Sequence, residues 1–195
     1  MNSGKLIVLY GINNLGKSTQ ARLLVQKLQA AGKPAEYLKY ALYNIHPSGV
    51  LINQYLRINN PYKFSAREFQ LLQVLNRTQF DRELRAKLTA GTWIVAEDYI
   101  GTGIAWGMGS GVGRHLLEYL NSHLYPEDLA FFFQGQRFME GKENNHTHED
   151  NDLLMQRVAH CHEILALEKD WIPIQANDTI ENISNYLWTK VQKIL

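Results

Sequence analysis

Residues 11–19 have the composition and spacing of a phosphate-binding loop. Two glycines separated by four residues precede a lysine and a hydroxyl residue, which is the P-loop pattern G-x-x-x-x-G-K-[ST]. The lysine of such a loop reaches the β- and γ-phosphates of a nucleoside triphosphate, and the hydroxyl binds Mg²⁺. The sequence therefore predicts a nucleoside triphosphate and Mg²⁺ as ligands, with a triphosphate-binding loop formed by Gly11, Asn13, Asn14, Leu15, Gly16, Lys17, Ser18 and Thr19.

The segments on either side of the loop favour the same interpretation. The apolar run Leu6–Tyr10 predicts a buried strand before the loop. After the loop, apolar residues recur at helical spacing from Ala21 to Leu28, and Gly32 marks the end of that helix. A strand, a loop and a helix N-terminus in this order direct backbone N–H groups and the positive end of a helix dipole at one point. Phosphate oxygens bind at such a point.

Two acidic residues follow the third apolar run of the chain. Trp93–Ala96 predicts a strand, and Glu97 and Asp98 come directly after it. Because ligands of an open parallel sheet lie outside the carboxyl ends of its strands, both acids are expected beside the P-loop. We predict catalytic roles for Lys17, Glu97 and Asp98, and Mg²⁺ binding by Ser18 and Glu97.

A long helix with a mixed polar and aromatic face is predicted to line a cleft. Ser65 and Glu68 form a capping-box pattern that opens a helix running toward Leu88. The chemistry of its polar residues suits Arg77 to clamping a phosphate and Gln73 to contacting a base, although a solvated polar face is the alternative for Arg77. The mixed face carries Phe69, Gln73, Asn76, Arg77 and Phe80, alongside the apolar residues Leu72, Leu75, Leu84 and Leu88.

Five short apolar runs alternate with helical patterns along the chain. Besides Leu6–Tyr10 and Trp93–Ala96, they are Ala35–Tyr40, Leu129–Phe133 and Trp171–Ile174. This alternation predicts an α/β fold with three layers, in which helices cover both faces of a five-stranded, mostly parallel sheet of the P-loop NTPase type. We expect residues 1–195 to form a single domain. The last helix is expected to open at a second capping-box pattern, Asp178 to Glu181, and to pack through Ile180, Ile183, Leu187, Val191 and Ile194.

Two stretches interrupt this alternation. The glycine-rich stretch Gly101–Gly113 is expected to be a flexible loop over the ligand site, and a polar stretch at about residues 138–152 is expected to form a short lid. Histidines cluster in and after the lid, but a complete ligand set for structural zinc is lacking, so a polar lid is the favoured interpretation. These histidines are His146, His148, His160 and His162.

Composition and charge limit the classes of partner. The formal net charge of +1 lacks the basic excess that is typical of a nucleic-acid-binding protein. No segment approaches a membrane span, and the single cysteine, Cys161, falls on the apolar face of a predicted helix, where an inert thiol is expected. These features predict a soluble cytoplasmic protein whose partners are small nucleotides, without nucleic acid or membrane. A homodimer is compatible with them.

Five segments, whose order and spacing cover nearly the whole chain, carry a resemblance to a known family. The segments are Lys17-Ser-Thr-Gln20, Tyr43–Leu56, Asn76-Arg77, Glu97–Trp106 and Gln175–Asn177. Taken together, they resemble the thymidylate kinase family. The resemblance implies the nucleoside-monophosphate-kinase fold, a role in nucleotide biosynthesis, and transfer of the ATP γ-phosphoryl group to a deoxynucleoside monophosphate, with dTMP the preferred acceptor and dTDP the product.

The resemblance also implies roles for individual residues. Arg77 would grip the acceptor phosphate and count among the catalytic residues, and Trp106 would pack near the base and sugar and disfavour a ribose 2′-OH. Ala176 and Asn177 would lie on the adenine side of ATP. The acceptor site would comprise Tyr43, Arg57, Gln73, Asn76, Arg77, Tyr99, Thr102 and Trp106.

Four departures from the family pattern mark the chain as a divergent member. Asn13 stands where the family has an acidic residue, Asp98 where it has an arginine, and Gln73 where it has a base-stacking phenylalanine. The lid contains no arginine, although Arg137 and Arg157 flank it. Because one transition-state cation is worth several powers of ten in rate, two alternatives stay open. One is a deoxynucleoside kinase with Glu97 as base, and the other is a nucleotide-binding regulator with reduced transfer activity.

Overall fold

The computed structural model describes residues 3–138 and 152–195, which contain five strands and seven α-helices. The strands are β1 (Leu6–Tyr10), β2 (Ala35–Lys39), β3 (Trp93–Glu97), β4 (Leu129–Gln134) and β5 (Ile172–Gln175). The helices are α1 (Lys17–Ala30), α2 (Ser48–Arg57), α3 (Ala66–Thr89), α4 (Ile100–Gly109), α5 (Arg114–Asn121), α6 (Asp152–Glu168) and α7 (Ile180–Val191). The predicted α/β fold is confirmed, and each strand lies within a single residue of the apolar run that predicts it.

The sheet places the P-loop where an open α/β sheet binds its ligands. Its strand order is β2-β3-β1-β4-β5, and every pair of neighbouring strands is parallel. The chain leaves β1 toward β2 on one side, whereas it leaves β3 and β4 toward the other side. The ligand crevice of such a sheet lies at the carboxyl ends of the strands beside this reversal, which is where residues 11–16 follow β1.

Alternate residues of β1 bury against different helices, because successive side chains of a strand point to opposite faces of the sheet. Ile7 and Leu9 belong to a core cluster with α1 and α7. Val8 and Tyr10 belong to the cluster on the other face, which includes residues of α3, α4 and α6. The two clusters produce the predicted three layers and hold β1, and with it the start of the P-loop, rigidly in the centre.

Two details of the predicted helices are wrong. Leu75 was expected on the apolar face of α3, but its side chain is 39% exposed because it points away from the packed helices. The last helix is capped by Thr179 rather than Asp178, since the Thr179 side chain accepts a hydrogen bond from the Asn182 backbone N–H. Ile180 is consequently the first helical residue and lies 60% exposed, one turn before the buried Ile183.

The glycine-rich stretch Gly101–Gly113 is not the expected loop, because most of it forms α4. Its glycines allow α4 to approach its neighbours closely. A Cβ at Gly103 would lie 2.7 Å from a terminal nitrogen of Arg77 on α3, and one at Gly109 would lie 2.6 Å from Val158 on α6. Packing against two helices outweighs the low helix propensity of glycine, which costs about 1 kcal/mol per residue.

Of the four clustered histidines, two lie within the described residues and face different surroundings. His160 is exposed on α6, whereas His162 is fully buried and stacks on Phe132 of β4. His146, His148 and nearly all of the predicted lid lie outside the described residues. Cys161 is buried, as predicted. No helix in residues 3–138 or 152–195 is long and apolar enough to cross a membrane.

Buried His162 makes the stability of the protein depend on pH. Burial lowers the pKa of His162 to about 3, an effect that the charge of Lys17 increases, whereas the unfolded chain has a histidine pKa of about 6.5. The unfolded state therefore binds the extra proton as the pH falls. We expect the free energy of unfolding to drop by about 2 kcal/mol between pH 7 and pH 5 from this group alone.

Chemical denaturation at both pH values measures this effect. The variant His162→Asn keeps an N–H donor for the Val158 carbonyl, to which the imidazole Nδ1 lies at 3.0 Å, but it cannot titrate. Between pH 7 and pH 5 the free energy of unfolding of this variant should fall by about 2 kcal/mol less than that of the parent protein. His160→Asn, which changes an exposed histidine on the same helix, should retain the full dependence. Equal pH dependence in His162→Asn and the parent protein would contradict the role of this residue.

Candidate active site

A cleft of about 580 Å³ opens between the P-loop and the helices α2, α3 and α4. It brings together most of the residues predicted from the sequence. The predicted ATP-binding residues that line it are Asn13, Asn14, Leu15, Gly16, Lys17, Ser18 and Thr19. The predicted acceptor residues that line it are Tyr43, Arg57, Gln73, Arg77, Tyr99, Thr102 and Trp106, and the predicted catalytic acids Glu97 and Asp98 line it too.

The P-loop is shaped by its glycines and by the lysine at its end. Gly11 adopts φ +131° and a Cβ there would lie 2.5 Å from the Phe133 carbonyl oxygen, so no other residue fits. Lys17 is only 3% exposed, and its ammonium donates hydrogen bonds to the carbonyls of Gly11 (2.9 Å) and Ile12 (2.7 Å). The loop therefore holds this cation over its own concave face, beside the N-terminus of α1.

Glu97 is an ionised carboxylate surrounded by donors. Its Oε2 accepts hydrogen bonds from the Ser18 hydroxyl (2.5 Å) and the Tyr37 hydroxyl (2.8 Å), and its Oε1 lies 3.2 Å from the Lys39 ammonium. Burial acts to raise the pKa of Glu97, but the charges of Lys17 and Lys39 and these hydrogen bonds hold it below the usual value. A negatively charged carboxylate oxygen of Glu97 thus lies next to the Ser18 hydroxyl of the P-loop.

Asp98 lies on the other side of Lys17. Its carboxylate is 3.7 Å from the Lys17 ammonium and accepts a hydrogen bond from the Thr102 hydroxyl at 3.0 Å. Its backbone adopts φ +60°, which turns the chain from β3 into α4. Burial, together with the charge of Glu97, raises the pKa of Asp98. The two acids therefore differ: the surroundings of Glu97 lower its pKa and place it beside Ser18, whereas those of Asp98 raise its pKa and place it beside Lys17.

Arg77 of α3 is a buried cation that lines the same cleft. It is 3% exposed, and its Nε donates to the Asn121 side-chain oxygen at 3.1 Å. Its Nη2 has no hydrogen-bond partner among residues 3–138 and 152–195, and no carboxylate of those residues pairs with the guanidinium. Burial lowers the pKa of Arg77 to about 10, so the side chain stays charged at neutral pH. A buried charge of this kind matches an acceptor atom of a ligand.

Four predicted residues do not line the cleft but shape its walls or lie behind them. Asn76 is fully buried, where its amide accepts from the Leu42 N–H (2.8 Å) and donates to the Leu42 carbonyl (2.9 Å), and this fixes the loop that carries Tyr43. Asn177 exchanges two hydrogen bonds with the Gln136 backbone, at 2.6 and 2.9 Å, and so joins the end of β5 to the end of β4. Ala176 beside it is buried, and so is Gly11, the first residue of the P-loop.

Other residues of the cleft are not identified by the sequence patterns. Lys39 and Tyr37 reach Glu97 because β2 pairs with β3 in a register that sets Lys39 opposite Glu97, and no local pattern reveals this pairing. Phe138 lies beside Gly16 and donates its backbone N–H to the Asn14 carbonyl at 2.8 Å. Gln70 is also absent from the predicted residues, but a local pattern could have revealed it. It precedes Gln73 and Arg77 by three and seven residues, a spacing that places it on the same helix face.

The parallel sheet, the P-loop between β1 and α1, and the buried cation Arg77 in the same cleft are the features of a P-loop nucleoside monophosphate kinase. Sequence comparison identifies the family within this class. The model of the family described as "Thymidylate kinase" matches residues 9–187 of the chain. The chain therefore belongs to the thymidylate kinase family.

Individual relatives agree with this assignment over nearly their whole length. A thymidylate kinase of Plasmodium falciparum is 27% identical over 194 residues, which cover 98% of this chain and 91% of the relative. The thymidylate kinase of Homo sapiens is 29% identical over 185 residues, covering 92% and 86% respectively. Among solved structures, thymidylate kinase from Candida albicans superposes with a TM-score of 0.81 at 26% identity, covering 98% of this chain and 92% of that one.

Proposed function

We propose that this protein transfers the γ-phosphoryl group of ATP to dTMP and forms dTDP and ADP. The observation that carries this proposal is a single cleft lined by two buried cations. One is Lys17 of the P-loop, and the other is Arg77, which has no carboxylate partner among the described residues. Two phosphate-bearing ligands can therefore approach each other within one enclosed space.

The ATP side is the P-loop. Backbone N–H groups at the N-terminus of α1 and the ammonium of Lys17 would bind the β- and γ-phosphates. The Ser18 hydroxyl and the ionised Glu97 carboxylate, 2.5 Å apart, form the all-oxygen set that Mg²⁺ prefers, so these two residues would hold the ion. When bound, Mg²⁺ neutralises charge on the phosphate oxygens.

The acceptor side is the wall formed by α3 and α4. Arg77 would grip the phosphate of dTMP, Gln73 would contact the base, and Trp106 would pack against the base and sugar. Arg57, whose guanidinium lies 5.5 Å from the Tyr43 ring centroid, would add a second cation at the outer edge. Thr102 of α4, which donates a hydrogen bond to Asp98, and Tyr99 also line the cleft and would complete this side.

The chemical step requires positioning rather than covalent catalysis. A phosphate oxygen of dTMP attacks the γ-phosphorus, the bond from that phosphorus to the β,γ-bridging oxygen breaks, and the electron pair leaves with ADP. The attacking oxygen already carries negative charge at neutral pH, so no base need remove a proton. Lys17 stabilises charge on the transferred group, and the cleft holds the two nucleotides in line.

Release of ADP with several acceptors tests the proposal. We expect the highest kcat/KM with dTMP, and lower values with dUMP and dGMP. Thymidine lacks the phosphate that Arg77 would grip, so it should support little turnover. Faster turnover of thymidine than of dTMP would instead favour a deoxynucleoside kinase with Glu97 as base. Nucleotide binding without ADP release from any acceptor would favour a regulator. The cytoplasmic location and the homodimer stay predictions.

The role of Glu97 in metal binding predicts a specific defect. Glu97→Gln keeps the size and hydrogen-bonding capacity of the side chain but removes its charge. We expect this variant to need about tenfold more Mg²⁺ for half-maximal activity, because one charge-assisted contact to the ion is weakened. Titration of activity against Mg²⁺ at saturating ATP measures the change.

Asp98→Asn is the matched control for this prediction. Its side chain contacts Lys17 and Thr102 rather than Ser18, so its Mg²⁺ requirement should change less. An unchanged requirement in Glu97→Gln would contradict the metal role. Asp98→Arg restores the residue that is usual in the family. A sharp rise in the activity of this variant would mean that the chain has lost a useful cation at this position and that the Asp98 carboxylate has no catalytic role.

A further inference from the structure

We infer that Gln70 recognises the base of the acceptor nucleotide, with its side-chain amide oxygen accepting a hydrogen bond from a base N–H. For dTMP this donor is the imide N3–H. The inference rests on the proposed function, because it takes the acceptor to be a nucleoside monophosphate. It adds a specificity-determining residue that the sequence patterns do not single out.

The first observation is the unsatisfied state of this amide. Gln70 is 3% exposed and lines the cleft, yet its Oε1 has no hydrogen-bond partner among the residues that the structure describes. A buried amide oxygen without a partner destabilises a folded protein, since water satisfies it in the unfolded chain. Such a group is expected where a ligand supplies the missing donor.

The second observation is that packing against a neighbouring helix limits the movement of the Gln70 side chain. Its Cγ packs beside Gly107 of α4, where a Cβ would approach to 3.2 Å. The preceding residue, Phe69, stacks on Tyr55 of α2 with 3.7 Å between ring centroids. Gln70 is therefore packed against α4 and buried rather than free to swing into solvent. A fixed acceptor discriminates between ligands better than a mobile one, because less side-chain freedom is lost on binding.

The third observation is the chemistry of the shared helix face. Gln70, Gln73 and Arg77 follow one another at intervals of three and four residues, so they share the side of α3 that lines the cleft. Arg77 offers only donors, whereas the amide oxygen of Gln70 offers an acceptor. A nucleotide presents acceptors on its phosphate and its base carbonyls, and it also has a base N–H that Arg77 cannot satisfy. Gln70 supplies the acceptor for that group.

The experiment replaces the amide by groups of similar size. Gln70→Met removes the acceptor, and Gln70→Glu retains an acceptor oxygen whether or not it is ionised. We expect Gln70→Met to bind dTMP about tenfold more weakly and ATP unchanged, and Gln70→Glu to recover at least part of the loss. Gln26→Leu, on the exposed face of α1, is the control for replacing a glutamine by an apolar residue outside the cleft.

A modified ligand identifies the atom that is recognised. The 5′-monophosphate of 3-methylthymidine lacks the N3–H, so the parent protein should bind it at least tenfold more weakly than dTMP. In Gln70→Met this preference should largely disappear. The thermal unfolding midpoint of ligand-free Gln70→Met should be unchanged or raised, because an unpaired buried amide has been removed. If Gln70 had only a structural role, its replacement would lower the unfolding midpoint.

Two results would overturn the inference. One is dTMP binding by Gln70→Met as tight as by the parent protein. The other is an equal preference for dTMP over its 3-methyl derivative in both proteins. These results leave the proposed function intact, since the parent protein still binds dTMP. Failure of the parent protein itself to bind dTMP would contradict the proposed function and this inference together.

Discussion

Lys17→Ala should lower kcat by about a thousandfold or more while leaving the fold intact. The ammonium is buried at the mouth of the P-loop, where its contacts are the carbonyls of Gly11 and Ile12 and the Asp98 carboxylate. No apolar packing depends on its charge. A cation that stabilises the transferred phosphoryl group contributes on this scale, so its loss should appear mainly in kcat.

Single-turnover measurements with ATP and dTMP test this expectation, and circular dichroism checks the fold. Lys33→Ala, which removes a partly exposed lysine beyond the end of α1 and outside the cleft, serves as the control and should keep the parent rate. Turnover of Lys17→Ala at close to the parent rate would overturn the assignment of residues 11–19 as the triphosphate site.

The second large effect is expected at Arg77. Arg77→Met keeps the length of the side chain and removes its charge, so that the cleft retains its shape. We expect dTMP to bind ten- to a hundredfold more weakly, because a buried charge-assisted contact contributes about 1.5–3 kcal/mol. ATP should bind almost as before, since the P-loop holds it independently. Separate titrations of the two nucleotides measure both affinities.

Thymidine shows which part of dTMP contacts Arg77. A phosphate clamp predicts that thymidine binds equally well to Arg77→Met and to the parent protein, because it has no phosphate. If Arg77→Met weakens the binding of thymidine and of dTMP by the same factor, Arg77 contacts the base or sugar, and the clamp role is wrong. Equal losses for dTMP and ATP, or no loss for either, would also contradict it.

The features that the sequence predicts well are those determined by neighbouring residues. The P-loop is one continuous segment, and its function follows from its own glycines and Lys17. Strand β4 is recognisable because Leu129–Phe133 is apolar on both faces, as a strand covered by two helix layers requires. The capping box of α3 forms as predicted, with Ser65 and Glu68 exchanging hydrogen bonds.

The features that the sequence does not predict depend on contacts distant along the chain. Gly101–Gly113 has the composition of a loop, and only packing against Arg77 and Val158 makes most of it a helix. Lys39 reaches the site because β2 lies beside β3, and strand order cannot be obtained from local patterns. The unpaired amide of Gln70 also becomes visible only when its surroundings are known.

Direct identification of the product tests the central claim most sharply. The protein is incubated with dTMP and ATP that carries a radioactive γ-phosphate, and the nucleotides are separated. We expect the label to appear in dTDP, in amounts equal to the ADP formed, and to be lost in Lys17→Ala. Label that appears only in inorganic phosphate, or ATP that stays intact while dTMP is bound, would contradict the assignment of this cleft to phosphoryl transfer between nucleotides.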